Sequence, residues 1–370
     1  MEFRNKMFEI INRQDLFHCN EIKRREIKGY LIPKSFRYHF ENCEIYRQYC
    51  CNMGVYPEMI NSYEDIEKIP LLPSSFFKNN KVISGGDRNK MRKCTSSGTQ
   101  GGVSVIYRDE MTINNFFKSS DINIRDMLNL EDTECINLAP PAGEAGTENL
   151  WLPYAVDYIT EFYKTVYGVE NGKLNVDKVC KNMRRIMDEE KNIIMIGPPT
   201  LFVRLANYMK EKEIFFDFNS KIMFITAGGW KKFTGERIPH VDFLNLLQEC
   251  FGNIEMSQCR DIFNMVELNT LISECEMNKK HILPWLEVRP LNPTNLKPVG
   301  AGENGVLAFY DPTALSYPCF VWSDDIGRVY KNQECKCGRT TDIFEFERRI
   351  ITTETRGCAL KMDNQFQIGK

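Results

Sequence analysis

The sequence predicts an α/β protein of mostly parallel layers with a β-rich C-terminal subdomain, and three observations carry that expectation. Short, wholly apolar runs recur, such as IIMIG at 193–197 and KIMFITAGG at 221–229. They are separated by amphipathic stretches such as VDKVCKNMRRIMDEE and FLNLLQECF, the pattern of strands buried on both faces and joined by helices. From residue 283 onward the texture changes to short strands and turns, LPWLEVRPL, GVLAFYD and YPCFVWSDDIGRVY.

Taken in order, residues 1–68 read as a helical segment packed on the core, with apolar stripes in MFEIINRQDLF and YHFENCEIYRQYCCNM. The prolines of IPLLPSSFF end it. Residues 69–282 form the α/β core. VSVIY at 103–107 reads as a strand, EMTINNFFKSSDINIRDML as a helix, ECINLAPP as a strand and VDKVCKNMRRIMDEE as a helix. IIMIG then runs into the helix of PPTLFVRLANYMK, and KIMFITAGG leads to FLNLLQECF. Residues 283–370 are the β-rich subdomain and a tail that carries Cys358. Without repeats or long linkers, the parts are expected to pack as one body.

Composition narrows the function. In 370 residues, 48 Lys and Arg against 50 Asp and Glu leave no basic field that would collect nucleic acid. The first residues carry charges every few positions, and no window approaches a membrane-spanning length, so a cytoplasmic protein without membrane insertion is expected. Its 14 cysteines are then mostly reduced core fillers, as Cys180, Cys250 and Cys319 illustrate.

Several segments have the residue types that chemistry needs. CTSSGTQGGVS at 94–104 gathers hydroxyls and glycines before a strand, where backbone N–H groups and hydroxyls converge on phosphate; an exposed Ser/Gly hairpin loop is the plainer reading. It lacks the Gly-Lys-Ser/Thr ending of a Walker loop. ITAGGWKK places paired glycines at the carboxyl end of a strand, where open α/β sheets bind ligands. In CFGNIEMSQCR, Glu255 either holds Mg²⁺ or is a solvated loop acid. In WSDDIGRVY, Asp324 and Asp325 lie in a turn-like pair. Cys275 and His281, with Cys335 and Cys337 of ECKCGR, offer three thiols and an imidazole, the donor set of a closed tetrahedral Zn²⁺ site. Two unrelated turns with reduced thiols would read the same way.

In this order, those segments resemble the adenylate-forming superfamily of acyl-CoA synthetases and phenylacetate-CoA ligases. TSSGTQGG is similar to its phosphate loop SSGTTG, FGNIE to its YGxTE, SDDIGR to its TGDxGR, and CKCGR to the CxCGR of the phenylacetate-CoA ligase branch. IPLLPSSFFK, GGWK, the chain length and the terminal RGCAL resemble the LuxE family, the acyl-protein synthetases of the bacterial luminescence fatty-acid reductase. The resemblance implies an adenylate-forming large-domain-like fold lacking most of the usual C-terminal domain and its catalytic lysine. It implies ATP phosphates at Ser96, Ser97, Gly98, Thr99 and Gly101, and adenine and acyl groups at Gly228, Gly229 and Trp230. Mg²⁺ would lie at Glu255, ribose at Asp325, and phosphate or ribose within reach of Arg339, with structural Zn²⁺ at Cys275, His281, Cys335 and Cys337.

The activity implied is ATP-dependent conversion of a carboxylic acid, long-chain fatty acid by family expectation, to an acyl-adenylate. Cys358 would then take the acyl group as a thioester and pass it to an acyl reductase, with a thioesterase or transferase as a further partner subunit. An acid-CoA ligase and a non-catalytic nucleotide-binding scaffold are the alternatives. Read without the resemblance, Cys358 is one more buried thiol in a last strand.

Overall fold

The computed structural model describes residues 2–13, 15–97, 102–127, 132–144, 146–228 and 238–350. Three N-terminal helices come first: α1 (Glu2–Ile11), α2 (Glu21–Asn42) and α3 (Glu44–Asn52). Asn20 caps α2, its side chain accepting from the Lys23 N–H. After β1 (Leu72–Pro73) and α4 (Phe76–Asn79), a hairpin of β2 (Arg92–Thr95) and β3 (Val105–Arg108) flanks the Ser/Gly loop.

The α/β core follows. It runs through α5 (Glu110–Met127), β4 (Thr133–Asn137), α6 (Trp151–Thr160), β5 (Lys164–Tyr167) and the small hairpin of β6 (Val169–Glu170) and β7 (Lys173–Leu174). It continues through α7 (Val176–Asp188), β8 (Asn192–Gly197), α8 (Pro199–Glu211), β9 (Ile222–Ala227), α9 (His240–Phe251), β10 (Cys259–Phe263) and β11 (Ile272–Ser273). The strand order is β11-β10-β9-β8-β4-β5, parallel throughout except for the antiparallel edge strand β11.

Side-chain alternation explains why these strands read as unbroken apolar runs. Ile193, Met195, Ile222 and Phe224 point to one face and join α7, α8 and α9. Ile194, Ile196, Met223, Ile225 and Ala227 point to the other, into a larger core shared with α5, α6, the N-terminal helices and the second sheet.

That second sheet is built from β12 (Lys280–His281), β13 (Glu287–Leu291), β14 (Gly305–Tyr310), β15 (Phe320–Tyr330) and β16 (Ile343–Arg349), in the order β12-β16-β15-β14-β13. It recruits chain from before residue 283, since Lys280 and His281 pair with β16, and Leu72 and Pro73 of β1 run parallel to β15. At the bulge between Ile326 and Gly327, a Cβ on Gly327 would meet the Glu345 carbonyl oxygen at 2.2 Å, so only glycine lets β15 and β16 approach.

The N-terminal helices are fastened by buried charge. Lys28 of α2 lies 2.7 Å from Glu287 and 3.4 Å from Asp342, while Arg289 and Lys331 also reach Glu287, at 2.9 and 3.1 Å. Burial would raise the Glu287 carboxyl, but Lys28, Lys331 and Arg289 hold it well below the usual carboxylate range. Glu287→Leu removes the carboxylate that three cations share, leaving the enclosed Lys28 only its longer contact to Asp342, and is expected to cost about 3–5 kcal/mol in urea denaturation at pH 7. Because the folded carboxyl is depressed from an ordinary 4.5, this stabilisation is complete above that value and lost as pH falls below it. The stability gap between wild type and variant should therefore narrow in acid.

Candidate active site

Parallel α/β sheets bind ligands beyond the carboxyl ends of their strands, and the Ser/Gly loop is delivered to that edge. Thr95 at the end of β2 donates its N–H to the Asn149 carbonyl at 2.6 Å and bridges Leu150, just ahead of α6. The loop is closed at its base by Ser96, whose N–H donates to the Ser104 carbonyl at 3.1 Å and whose hydroxyl accepts from the Ser104 N–H at 3.1 Å. It is a hairpin loop, as the plainer reading had it, in the position a phosphate loop would need. Ser97 is exposed on it, while Gly98, Thr99 and Gly101 lie outside the described residues.

Next to this base stands a carboxylate that the motif comparison passed over. Glu267 follows β10 at the same carboxyl edge, is 6% exposed, and lies beside the Ser104 side chain, which favours its ionised form. Burial raises its carboxyl above the ordinary value; Ser104 and Arg349 work against that, and Asp324 adds to it. Asp325 of β15 is in the same neighbourhood, with the Arg349 Nε 3.3 Å from its Oδ1. Burial pushes the Asp325 carboxyl up to about 6 despite Arg349, with Asp324 again raising it.

Glu255 is elsewhere. It caps the short turn before β10, accepting from Ser257 at 3.2 Å, while Gln258 of the same turn donates to the Asn219 and Ile222 carbonyls at the start of β9. Since β9 and β10 are parallel, this is the amino edge of the sheet, with all of β10 between Glu255 and the loop. The Mg²⁺ role expected of Glu255 thus meets a geometry that separates it from the Ser/Gly loop by the length of β10, and the carboxylate beside the loop is Glu267. FGNIE and FNMVE, at 251–255 and 263–267, share one aromatic-x3-Glu spacing. The usable signal was the alternating strand CRDIF just before the second.

Gly228 follows β9 with φ of +86°, a conformation that favours glycine, and packs against the end of the Leu152 side chain of α6. Gly229 and Trp230 lie outside the described residues, as does Cys358. Arg339 also departs from expectation. Its guanidinium donates to Glu276 at 2.8 Å and to the Asp126 carbonyl at the end of α5, beside Cys337 and not with Asp325. These bonds hold its guanidinium beside the cysteine cluster.

The cluster itself assembles from two turns. Cys275 lies in the connection between β11 and β12 and His281 at the end of β12, Cys335 and Cys337 lie in the connection between β15 and β16, and all four donor atoms are within 4.8 Å of one another. Cys275 Sγ is 3.8 Å from Cys335 Sγ, and Cys337 Sγ is 3.3 Å from His281 Nε2. A tetrahedral Zn²⁺ with Zn–S of about 2.3 Å sets sulfur–sulfur edges of about 3.8 Å, so the donor set fits such an ion. Burial depresses His281 to about 4, keeping the imidazole neutral, and Thr341 engages Nδ1 at 3.2 Å, which leaves Nε2 for the cluster. Burial raises the Cys337 thiol, but hydrogen bonds to Arg339, backbone first and then side chain, bring it below its ordinary value. Lys280, one residue before His281, bridges Asp261 of β10 at 2.9 Å and Glu274 at 2.7 Å, joining the cluster to the parallel sheet.

Among the described residues, no helix is long and apolar enough to cross a membrane. Among solved structures, the chain is similar to 2-hydroxyisobutyryl-CoA ligase in complex with 2-HIB-AMP and CoA, with a TM-score of 0.68 at 15% identity over 90% of this chain and 69% of that one. The fold is therefore that of the adenylate-forming enzymes. Among sequences it is 36% identical to the long-chain-fatty-acid–luciferin-component ligase of Aliivibrio fischeri, over 93% of this chain and 90% of that one. It is 33% identical to the ligase of the same name from Vibrio harveyi, over 93% and 89%. The model of the family described as "Acyl-protein synthetase, LuxE" matches residues 5–367, and with the hairpin loop, Glu267 and Asp325 on one edge of this fold, the chain belongs to that family of ligases.

Proposed function

We propose that this protein activates a carboxylic acid, a long-chain fatty acid in the first instance, as its acyl-adenylate, and then carries the acyl group on its own Cys358 as a thioester. The observation that carries this reading is the meeting of Ser96, Ser104, Glu267 and Asp325 at one sheet edge in a LuxE-family chain. Adenylation forms a bond between a carboxylate oxygen of the acid and the α-phosphorus of ATP and releases pyrophosphate. The thiolate of Cys358 then attacks the acyl carbonyl, AMP leaves with the bonding pair, and a thioester remains.

Each residue has a part in this scheme. The loop hydroxyls and N–H groups around Ser96 and Ser97 hold phosphate oxygens. Asp325, ionised above about 6, accepts from ribose hydroxyls. Glu267 would hold Mg²⁺, which when bound neutralises the phosphate charge that develops during transfer. Cys275, His281, Cys335 and Cys337 hold a structural Zn²⁺. The thioester would then be delivered to an acyl reductase, the partner that the resemblance implies. A thioesterase or transferase subunit would supply or withdraw the acid.

Intact-mass spectrometry after incubation with ATP, Mg²⁺ and a panel of carboxylic acids tests this directly. Wild type should gain the mass of one acyl group, removable by neutral hydroxylamine, and Cys358→Ser should not. Retention of the label in Cys358→Ser would move the carrier role to another thiol. A strict need for free coenzyme A with no acyl-enzyme would select an acid-CoA ligase. Nucleotide binding without acid-dependent pyrophosphate exchange would leave only a scaffold.

A further inference from the structure

Arg108, the last residue of β3, is wholly buried, and among the described residues its hydrogen bonds run to neutral acceptors and to no carboxylate. Burying a guanidinium without a counter-ion is costly, so its place calls for a reason. Its Nη2 donates to the Val266 carbonyl at 2.7 Å, to the Leu268 carbonyl at 3.3 Å and to the Tyr317 hydroxyl at 3.1 Å, and its Nε donates to Asn269 Oδ1 at 3.2 Å. The two carbonyls flank Glu267. The guanidinium also lies over the Trp151 ring at 3.7 Å, and the Trp151 Nε1–H donates to Asn264 Oδ1 at 2.6 Å, at the head of the same turn.

We infer that Arg108 is the positioning residue that locks the Glu267 turn to the hairpin carrying the Ser/Gly loop, fixing the carboxylate relative to the phosphates it serves. This rests on the reading of Glu267 given above. β3 leaves the loop at Ser104 and reaches Arg108 within one short strand, so the group that touches Glu267 and the group that pins its backbone belong to one rigid ladder. A planar fork with fixed donors can hold two carbonyls, an amide oxygen and a ring face together; an ammonium keeps the charge but not that geometry.

The test compares Arg108→Lys, Arg108→Met, Glu267→Gln and the double variant Arg108→Lys with Glu267→Gln, all as the full chain. Hydrogen exchange followed by mass spectrometry is the readout that needs no activity. Arg108→Lys should speed exchange at Leu268 and Asn269, whose amides are bonded to Met265 and Asp311, by about tenfold, with helix α8 unchanged. In acid-dependent ATP–pyrophosphate exchange, Arg108→Lys should lower kcat by about tenfold and raise the half-saturating Mg²⁺ several-fold, with the KM for the acid little changed. The double variant should be no slower than Glu267→Gln alone, since both act through one carboxylate. A turn that exchanges as in wild type overturns the inference. So does a loosened turn with unaltered kcat and Mg²⁺ dependence, or additive losses in the double variant. If Arg108→Met does not fold, the cation-retaining Arg108→Lys still decides. A wild type silent in pyrophosphate exchange refutes the proposed function and with it the service to phosphate, while the exchange data then report only the clamp.

Discussion

Glu267→Gln is expected to lower acid-dependent ATP–pyrophosphate exchange by about 10²–10³-fold, whereas Glu255→Gln should leave it within about threefold of wild type. The two carboxylates sit at opposite ends of β10. Glu267 is enclosed beside Ser104, where a charge interacts strongly with bound phosphate and metal. Glu255 is exposed and already engaged in capping a turn, a contact worth about 1 kcal/mol that the amide largely preserves. The amide is isosteric with the acid, so Glu267→Gln should keep the fold, and its melting temperature should stay within a few degrees of wild type or rise, because burial already disfavours the charge. The reverse ranking of the two variants would place the metal–phosphate carboxylate at Glu255 and overturn the assignment.

The second large effect concerns the cysteine cluster. Purified protein should contain one Zn²⁺ per chain by elemental analysis. Cys275→Ser should empty the site and lower the melting temperature by about 10 °C or more, because a closed structural zinc contributes several kcal/mol to folding at neutral pH. Cys275 is buried at the junction of β11 and β12, while Cys335 and Cys337 stand on the turn into β16. Losing the metal therefore frees the edge of the second sheet from the parallel one. The effect on catalysis should come through Asp325 and Arg349 at the far end of the β15–β16 pair, and be smaller than the effect on stability. Metal-free wild type with unchanged melting would remove the cluster as a structural centre.

Much of the fold was legible because the two periods of the chain are local. Apolar runs such as IIMIG and KIMFIT are strands, and VDKVCKNMRRIMDEE and FLNLLQECF are helices, where the alternation places them. The cluster was legible too, since thiols and an imidazole are few enough to be paired by type even across a long gap. Less visible were CRDIF, whose polar residues break the apolar run, and WLPYAVDYIT, which carries a proline yet forms α6. The boundary at 283 also proved soft, because sheet pairing reaches back to Lys280 and to Leu72.

The sequence by itself determined the fold class and the family, and it singled out the Ser/Gly loop, Asp325 and the four members of the Cys/His cluster, all of which depend on residue type and order. Only the tertiary structure decided between Glu255 and Glu267, committed Arg339 to Glu276, and set Arg108 under the turn. The reason is that a motif fixes spacing along the chain but not the edge of the sheet it emerges on. Two segments with the same aromatic-x3-Glu spacing lie at opposite ends of one strand, and the direction of β10 beside β9 selects the one that meets the loop.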